Sequence, residues 1–175
     1  ISLGRITKDT LVLAKSLGID HIEISGLGMF VDKDRSFKKT DQEIIEKLNQ
    51  VKKAADSAGI NIWSIHMPFG PQIDLSLIDQ TQRKQVVAMH QKLLLHLSIL
   101  EPEMVLFHPS YYLQLKERAH RTAQLIASAI TLDKDVQRIG ARMVIENMLG
   151  SALLVDQQRE RPLLRSVEEC VAIFS

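Results

Sequence analysis

The sequence has little cysteine and little net charge. Cys170 is the only cysteine among 175 residues, which excludes a disulfide within the chain and favours a reducing compartment. The 22 Lys and Arg residues stand against 21 Asp and Glu residues, so the net charge is only +1. A charge so close to zero gives no reason to expect a nucleic acid or an anionic membrane surface as a partner.

Long apolar runs are also lacking. No run approaches the roughly 20 apolar residues that cross a bilayer, and no charged-then-apolar leader opens the sequence. We therefore expect no membrane partner and a cytoplasmic location. The first residue is Ile1 and not a methionine, so we expect the start of the protein to be missing from this sequence.

What is present is a regular alternation of two patterns. Alternating or wholly apolar runs predict strands at 1–3, 19–25, 60–66, 104–108 and 142–147. Helical spacing of apolar residues predicts helices at 7–17, 40–58, 79–100 and 115–132, and a further one that begins near 166. Strands that alternate with helices predict an α/β fold with a parallel sheet. No linker divides residues 1–175, so we expect a single domain.

Two parallel architectures fit this alternation. An open five-stranded sheet would be complete at 175 residues, whereas a (β/α)8 TIM barrel needs about 250. The open sheet normally has a glycine-rich phosphate loop after its first strand, and none is present here. The residues at the strand ends, described next, also favour the barrel. We therefore predict a parallel TIM barrel, of which this chain covers about the first five βα units.

Polar side chains stand where the predicted strands end. They are Glu23, His66, His108, Glu146 and Asn147. The carboxyl ends of parallel strands meet at one edge of the sheet, so we expect these side chains to lie close together. Imidazole and carboxylate groups are ligands of divalent metals such as zinc, cobalt, manganese or magnesium. A single His in such a place is more often structural, but the recurrence in consecutive units favours a metal site.

Glu146 is the strongest of these candidates. An ionised carboxylate is rarely buried without a cation or a hydrogen-bonding partner, and this one follows the apolar run Met143-Val144-Ile145. Glu23 has two interpretations of equal weight, because it would either line the pocket or pair with a neighbouring cation.

The remaining candidates are expected to be structural. Trp63 is predicted to lie in the core, and the inward stripe of the fourth long helix is predicted to include Ala119, Ala123, Ile126 and Ile130. The other histidines are expected to be structural or solvent-exposed: His21, His90, His96 and His120.

Four segments resemble a known family. "GIDHIEIS", "INIWSIHMPFG", "MVLFHPS" and "RMVIENMLG", in this order and spacing, resemble the xylose-isomerase-like TIM-barrel superfamily, which includes sugar-phosphate isomerases and epimerases and the apurinic endonucleases. The resemblance implies that Glu146 binds a divalent metal and acts as an acid or base. It implies that His66 and His108 are zinc ligands in the endonuclease branch and face the substrate in the isomerase branch. It also implies further metal ligands from strands six to eight, which would lie beyond Ser175.

The resemblance implies a divalent-metal-dependent isomerase or epimerase that acts on a sugar or sugar phosphate through an enediolate. Glu146, His66 and His108 would bind the metal and catalyse proton transfer, and Glu23 and Asn147 would join the histidines in binding the sugar. The alternatives are a zinc-dependent endonuclease of the apurinic type and a non-catalytic sugar-binding barrel. A barrel cut after five units exposes an apolar face and an unpaired strand edge, so a homo-oligomer is a further expectation.

Overall fold

The fold is built on a four-stranded parallel sheet. A computed structural model describes residues 1–111, 113–148, 159–160, 163–164 and 166–174. The strands of the described part are β1 (His21–Ile24), β2 (Asn61–His66), β3 (Met104–Phe107), β4 (Leu113–Gln114), β5 (Arg142–Ile145) and β6 (Arg159–Glu160). The helices are α1 (Lys8–Ser16), α2 (Asp41–Ala58), α3 (Gln80–Leu97), α4 (Arg118–Arg138) and α5 (Val167–Phe174). The large sheet has the order β1-β2-β3-β5, and β4 pairs with β6 in a separate antiparallel ribbon.

The predicted strand at 1–3 is reduced to a single parallel bridge between Ser2 and Ser25. The backbone nitrogen of Leu3 donates to the oxygen of Ser25 at 2.8 Å, and that of Ser25 donates to Ile1 at 2.9 Å. Pairing stops there because Leu3–Arg5 turns into a 3₁₀ helix. The bridge nevertheless places this segment beside β1, at the edge where a further strand of a barrel would lie.

The boundaries of α2 follow from local sequence signals. The hydroxyl of Thr40 accepts from the Glu43 backbone nitrogen, and the Glu43 carboxylate accepts from the Thr40 backbone nitrogen, which confirms the predicted capping box. Gly59 ends the helix with φ at 66°, a left-handed conformation that suits glycine. Ile44, Leu48, Val51 and Ala55 form the buried stripe between these two caps.

The prediction for α4 was wrong in two respects. The helix continues to Arg138, and its buried residues are Leu125, Ser128, Leu132 and Val136. Ala119, Ala123 and Ile130 are instead exposed. Two stripes at helical spacing compete on this helix, and the bulkier one packs against the sheet. Ile130 lines an open groove with Met143 and Ile145, on the side of β5 that carries no strand in the described part of the chain.

The helices cover one face of the large sheet. Ile65, Val105 and Phe107 are fully buried on that face, together with Leu48 of α2 and Leu93 of α3. Trp63 lies on the other face and is 46% exposed, so its assignment to the core was wrong. A bulge in β2 accounts for this position: Ile22 pairs with Ile62 and Glu23 with Ser64, so Trp63 is an extra residue that interrupts the alternation between the buried Ile62 and Ile65.

The loops that follow β3 and β5 are tied to each other. The ribbon pairs Leu113 with Glu160 and Gln114 with Arg159. Close by, the backbone nitrogen of Leu163 donates to the Ser110 hydroxyl at 2.8 Å. These loops begin directly after two of the predicted site residues, so their attachment helps to fix that end of the sheet.

Among the described residues no helix combines the length and the apolar character that a membrane span requires.

Candidate metal centre

Three of the predicted residues meet at the carboxyl end of the sheet. His66 is the last residue of β2, and His108 and Glu146 each follow the last residue of β3 or β5. The Nε2 atoms of His66 and His108 are 3.1 Å apart. The Oε2 atom of Glu146 lies 3.0 Å from Nε2 of His108 and 3.7 Å from Nε2 of His66. The strand register creates this proximity, because the Glu146 backbone nitrogen donates to the Phe107 oxygen and continues the ladder one residue past β5.

His66 has a defined orientation and tautomer. Its Nδ1 lies 3.0 Å from the carbonyl oxygen of Met67. A carbonyl oxygen only accepts, so Nδ1 carries the hydrogen and Nε2 of the neutral ring presents a lone pair. The lone pair is directed to the point where His108 and Glu146 converge. Such a hydrogen bond on the remote nitrogen is typical of histidines that bind metals.

His108 is the most buried member of the trio, with 11% of its side chain exposed. Burial lowers the pKa of its imidazole, the nearby Glu146 carboxylate opposes this shift, and His66 adds to it. Its Nδ1 is buried and has no hydrogen-bond partner in the described part of the chain. One face of its ring is covered by Phe69, with ring centroids 3.6 Å apart and planes inclined by 12°.

The donor set fits a divalent metal. Two imidazole nitrogens and a carboxylate oxygen form a triangle with sides of 3.0, 3.1 and 3.7 Å. Ligand atoms at metal bond lengths of 2.0–2.2 Å in a tetrahedral site lie about 3.3 Å apart. The side chain of Glu146 is 42% exposed, which leaves an open approach for a further ligand. His66, His108 and Glu146 therefore have the chemistry and the spacing to hold an ion.

Glu23 lies in an adjoining cleft and not in the trio. Its carboxylate accepts a hydrogen bond of 2.8 Å from the Ser64 hydroxyl. The cleft has a volume of about 600 Å³, and Glu23, His66, Phe69 and Lys33 are among its lining residues. This volume is in the range of small-molecule sites. Asn147 follows Glu146 and is exposed, and it is not among the residues that line this cleft.

Two residues of the loop after β2 that bear on the site were missed by sequence analysis. Phe69 is part of the quoted segment "INIWSIHMPFG", but nothing in the spacing indicates that its ring stacks on His108. Asp74 is buried in the loop after β2, where Ser76 donates to it from both its backbone nitrogen and its hydroxyl. The Asp-x-Ser pattern is typical of a local turn. The further contact from the Tyr111 backbone nitrogen is not visible in the sequence.

Comparison with known proteins gives a family and a fold. A family model described as xylose isomerase-like TIM barrel matches residues 11–174. No curated protein sequence matches the chain. The solved structure of D-psicose 3-epimerase from Clostridium cellulolyticum H10 with D-tagatose matches with a TM-score of 0.72 and 18% identity, over 98% of this chain and 54% of that chain.

Other similar structures are also named as sugar epimerases. The 3-keto-D-glucoside 4-epimerase from E. coli matches with a TM-score of 0.64 and 11% identity, over 95% of this chain and 57% of that chain. The D-allulose 3-epimerase from Methylomonas sp. in complex with D-allulose matches with a TM-score of 0.65 and 13% identity, over 95% of this chain and 51% of that chain. At these identities the likeness shows the fold, and the chain spans about half the length of the proteins it matches. The parallel sheet is therefore part of a TIM barrel.

Proposed function

Because this chain belongs to the xylose isomerase-like TIM barrel family, we propose that its protein is a divalent-metal-dependent isomerase or epimerase of a sugar. The observation that carries the proposal is the convergence of His66, His108 and Glu146 within hydrogen-bond distance at the carboxyl ends of three strands. That edge is where TIM-barrel enzymes place their active sites. Similar structures named as sugar epimerases support the choice of substrate class.

The three residues have distinct roles in this proposal. His66 and His108 hold the ion through their Nε2 atoms, and Glu146 holds it through one carboxylate oxygen. A bound divalent ion supplies positive charge beside the carbonyl oxygen of the sugar as negative charge develops there. The second carboxylate oxygen of Glu146 takes the proton from the carbon next to the carbonyl. In an isomerase it returns that proton to the neighbouring carbon, whereas an epimerase requires a second acid to protonate the opposite face of the same carbon. The ion is manganese, magnesium, cobalt or zinc, which are compatible with imidazole and carboxylate ligands.

Glu23 binds the sugar away from the reacting carbon in this proposal. The Ser64 hydroxyl holds one carboxylate oxygen at 2.8 Å, so the other can accept a hydrogen bond from a sugar hydroxyl. Glu23 and His66 line the same cleft, and a substrate there would reach both. Asn147, exposed beside Glu146, supplies an amide for a second hydroxyl.

Substitution of Glu146 tests the proposal. In the full-length protein, Glu146→Gln should lower turnover of a ketose substrate by at least about 10²–10⁴-fold, since the amide can neither accept the proton nor bind the ion as an anion. Product ratios are followed by chromatography in the presence of manganese or cobalt. Glu103→Gln is the matched control, because Glu103 is exposed at the opposite end of the sheet. Undiminished turnover in Glu146→Gln would refute the role of this residue.

A zinc-dependent endonuclease of the apurinic type is the second candidate. The observation in its favour is the donor set itself, because two histidines and one glutamate also form catalytic zinc sites in hydrolases. Against it stands the net charge of +1, which gives little attraction for a phosphate backbone. Metal analysis of the full-length protein separates the candidates. Several bound zinc ions would favour the endonuclease, one labile manganese, magnesium or cobalt ion the isomerase, and no bound metal a sugar-binding barrel.

A further inference from the structure

Phe69 is in direct contact with the candidate metal centre. Its ring stacks on His108 with centroids 3.6 Å apart, and its centroid is 5.5 Å from that of His66. The residue is 49% exposed and lines the cleft, so its contribution to the buried core is small. An exposed aromatic side chain placed flat against a buried imidazole calls for a reason other than the general stability of the fold.

The two histidines are held in different ways. The ring of His66 is oriented by the hydrogen bond from its Nδ1 to Met67. The corresponding atom of His108 is buried and has no hydrogen-bond partner in the described part of the chain. Metal-binding histidines normally rely on such a partner to fix the ring. For His108, the contacts of Nε2 with His66 and Glu146 hold one edge of the ring, and the flat contact with Phe69 restrains its plane.

The loop that carries Phe69 is firmly anchored. Asp74, five residues further on, is buried and accepts hydrogen bonds from Ser76, from the backbone nitrogen of Tyr111 and from Arg121 of α4. The loop after β2 is therefore fastened both to the loop after β3 and to a helix. An anchored loop can hold an exposed ring against a neighbour, whereas a loose one would let it move into solvent.

We propose that Phe69 is a positioning residue, which fixes the ring plane of His108 so that its Nε2 faces His66 and Glu146. The orientation of His108 follows from geometry alone. Its consequence for metal affinity rests on the function proposed above. A residue without a flat face, such as leucine, would fill part of the space but would allow the imidazole to rotate.

NMR of the histidine rings tests the orientation without any metal. In the metal-free full-length protein, the carbon-bound ring protons of His108 should be shifted upfield by the stacked phenyl ring, and its two ring nitrogens should have well-separated shifts. Phe69→Leu should abolish the upfield shift. As the ring samples more than one orientation, exchange between its two tautomers should also bring the nitrogen shifts together. Phe69→Tyr retains the flat face and should restore both signatures. Phe37→Leu is the matched control, since Phe37 packs beside Lys92 and does not line the cleft.

Titration with zinc or manganese is the second measurement. Phe69→Leu should weaken metal binding by about tenfold or more, as loss of a supporting residue around a metal ligand typically does, while Phe69→Tyr and Phe37→Leu should bind as the wild type does. Unchanged His108 signals in Phe69→Leu would overturn the inference. If the wild type binds no metal, the proposed function fails, but the NMR result still decides the role of Phe69. If metal binds and no sugar is turned over, only the proposed reaction fails.

Discussion

His90 makes the stability of the fold dependent on pH. This residue of α3 is 1% exposed, and its ring meets Phe107 edge-on with centroids 5.4 Å apart. Burial lowers the pKa of the imidazole from 6.5 to about 3, because the charged form loses its hydration and gains no opposite charge. The neutral ring is therefore the form that the folded protein accepts.

The sign and size of the effect follow from this shift. Between pH 6.5 and about 3 the unfolded chain binds a proton at His90 that the folded protein does not bind. The contribution of His90 to the free energy of unfolding is therefore fully present above pH 6.5 and is lost as the pH falls towards 3. Each pH unit in this window costs about 1.4 kcal/mol, so a change from pH 6.5 to pH 4.5 should cost about 3 kcal/mol.

Urea unfolding of wild type and His90→Met at pH 7 and pH 4.5 measures this contribution. Methionine has similar volume and does not titrate, so the wild type should lose about 3 kcal/mol more than the variant over this range. The comparison removes the pH dependence of all other groups, which both proteins share. Leu93→Met changes a fully buried site on the same helix and controls for repacking of the core. Its free energy of unfolding should have the same pH dependence as that of the wild type. Equal pH dependence in wild type and His90→Met would refute the reasoning.

Two further predictions concern anchoring contacts. Asp74→Asn should lower the free energy of unfolding by about 3 kcal/mol, because it removes the buried charge that pairs with Arg121 and sets an amide nitrogen against N–H or O–H donors. A loss under about 1 kcal/mol in urea titration would contradict this. Thr40→Ala should cost about 1 kcal/mol through loss of the cap of α2. Thr131→Ala, inside α4, serves as its control, because that hydroxyl donates to the Ala127 carbonyl of its own helix and caps no helix end. It should change the thermal midpoint less than Thr40→Ala does.

Local patterns determined which elements form. The capping box at Thr40 and Glu43 and the glycine at 59 are confirmed, since their effects act within one turn of helix. The strand predictions agree with the structure to within two residues for β1, β2, β3 and β5. Strand ends also indicated His66, His108 and Glu146 as a group, because parallel pairing brings equivalent ends of neighbouring strands together.

Only the tertiary structure decided which faces are buried and what surrounds the candidate site. Trp63 and Ile62 are both apolar, and the sequence does not show that helices cover one face of β2 and leave the other open. The two apolar stripes of α4 have equivalent spacing, and packing against the sheet selected one. Phe69 stacks on His108, which is 39 residues further along the chain. Asp74 accepts a hydrogen bond from Tyr111, which is 37 residues further along. Sequence by itself therefore determined the strand ends and their chemistry, whereas contacts between loops distant in sequence depend on how the strands are arranged in space.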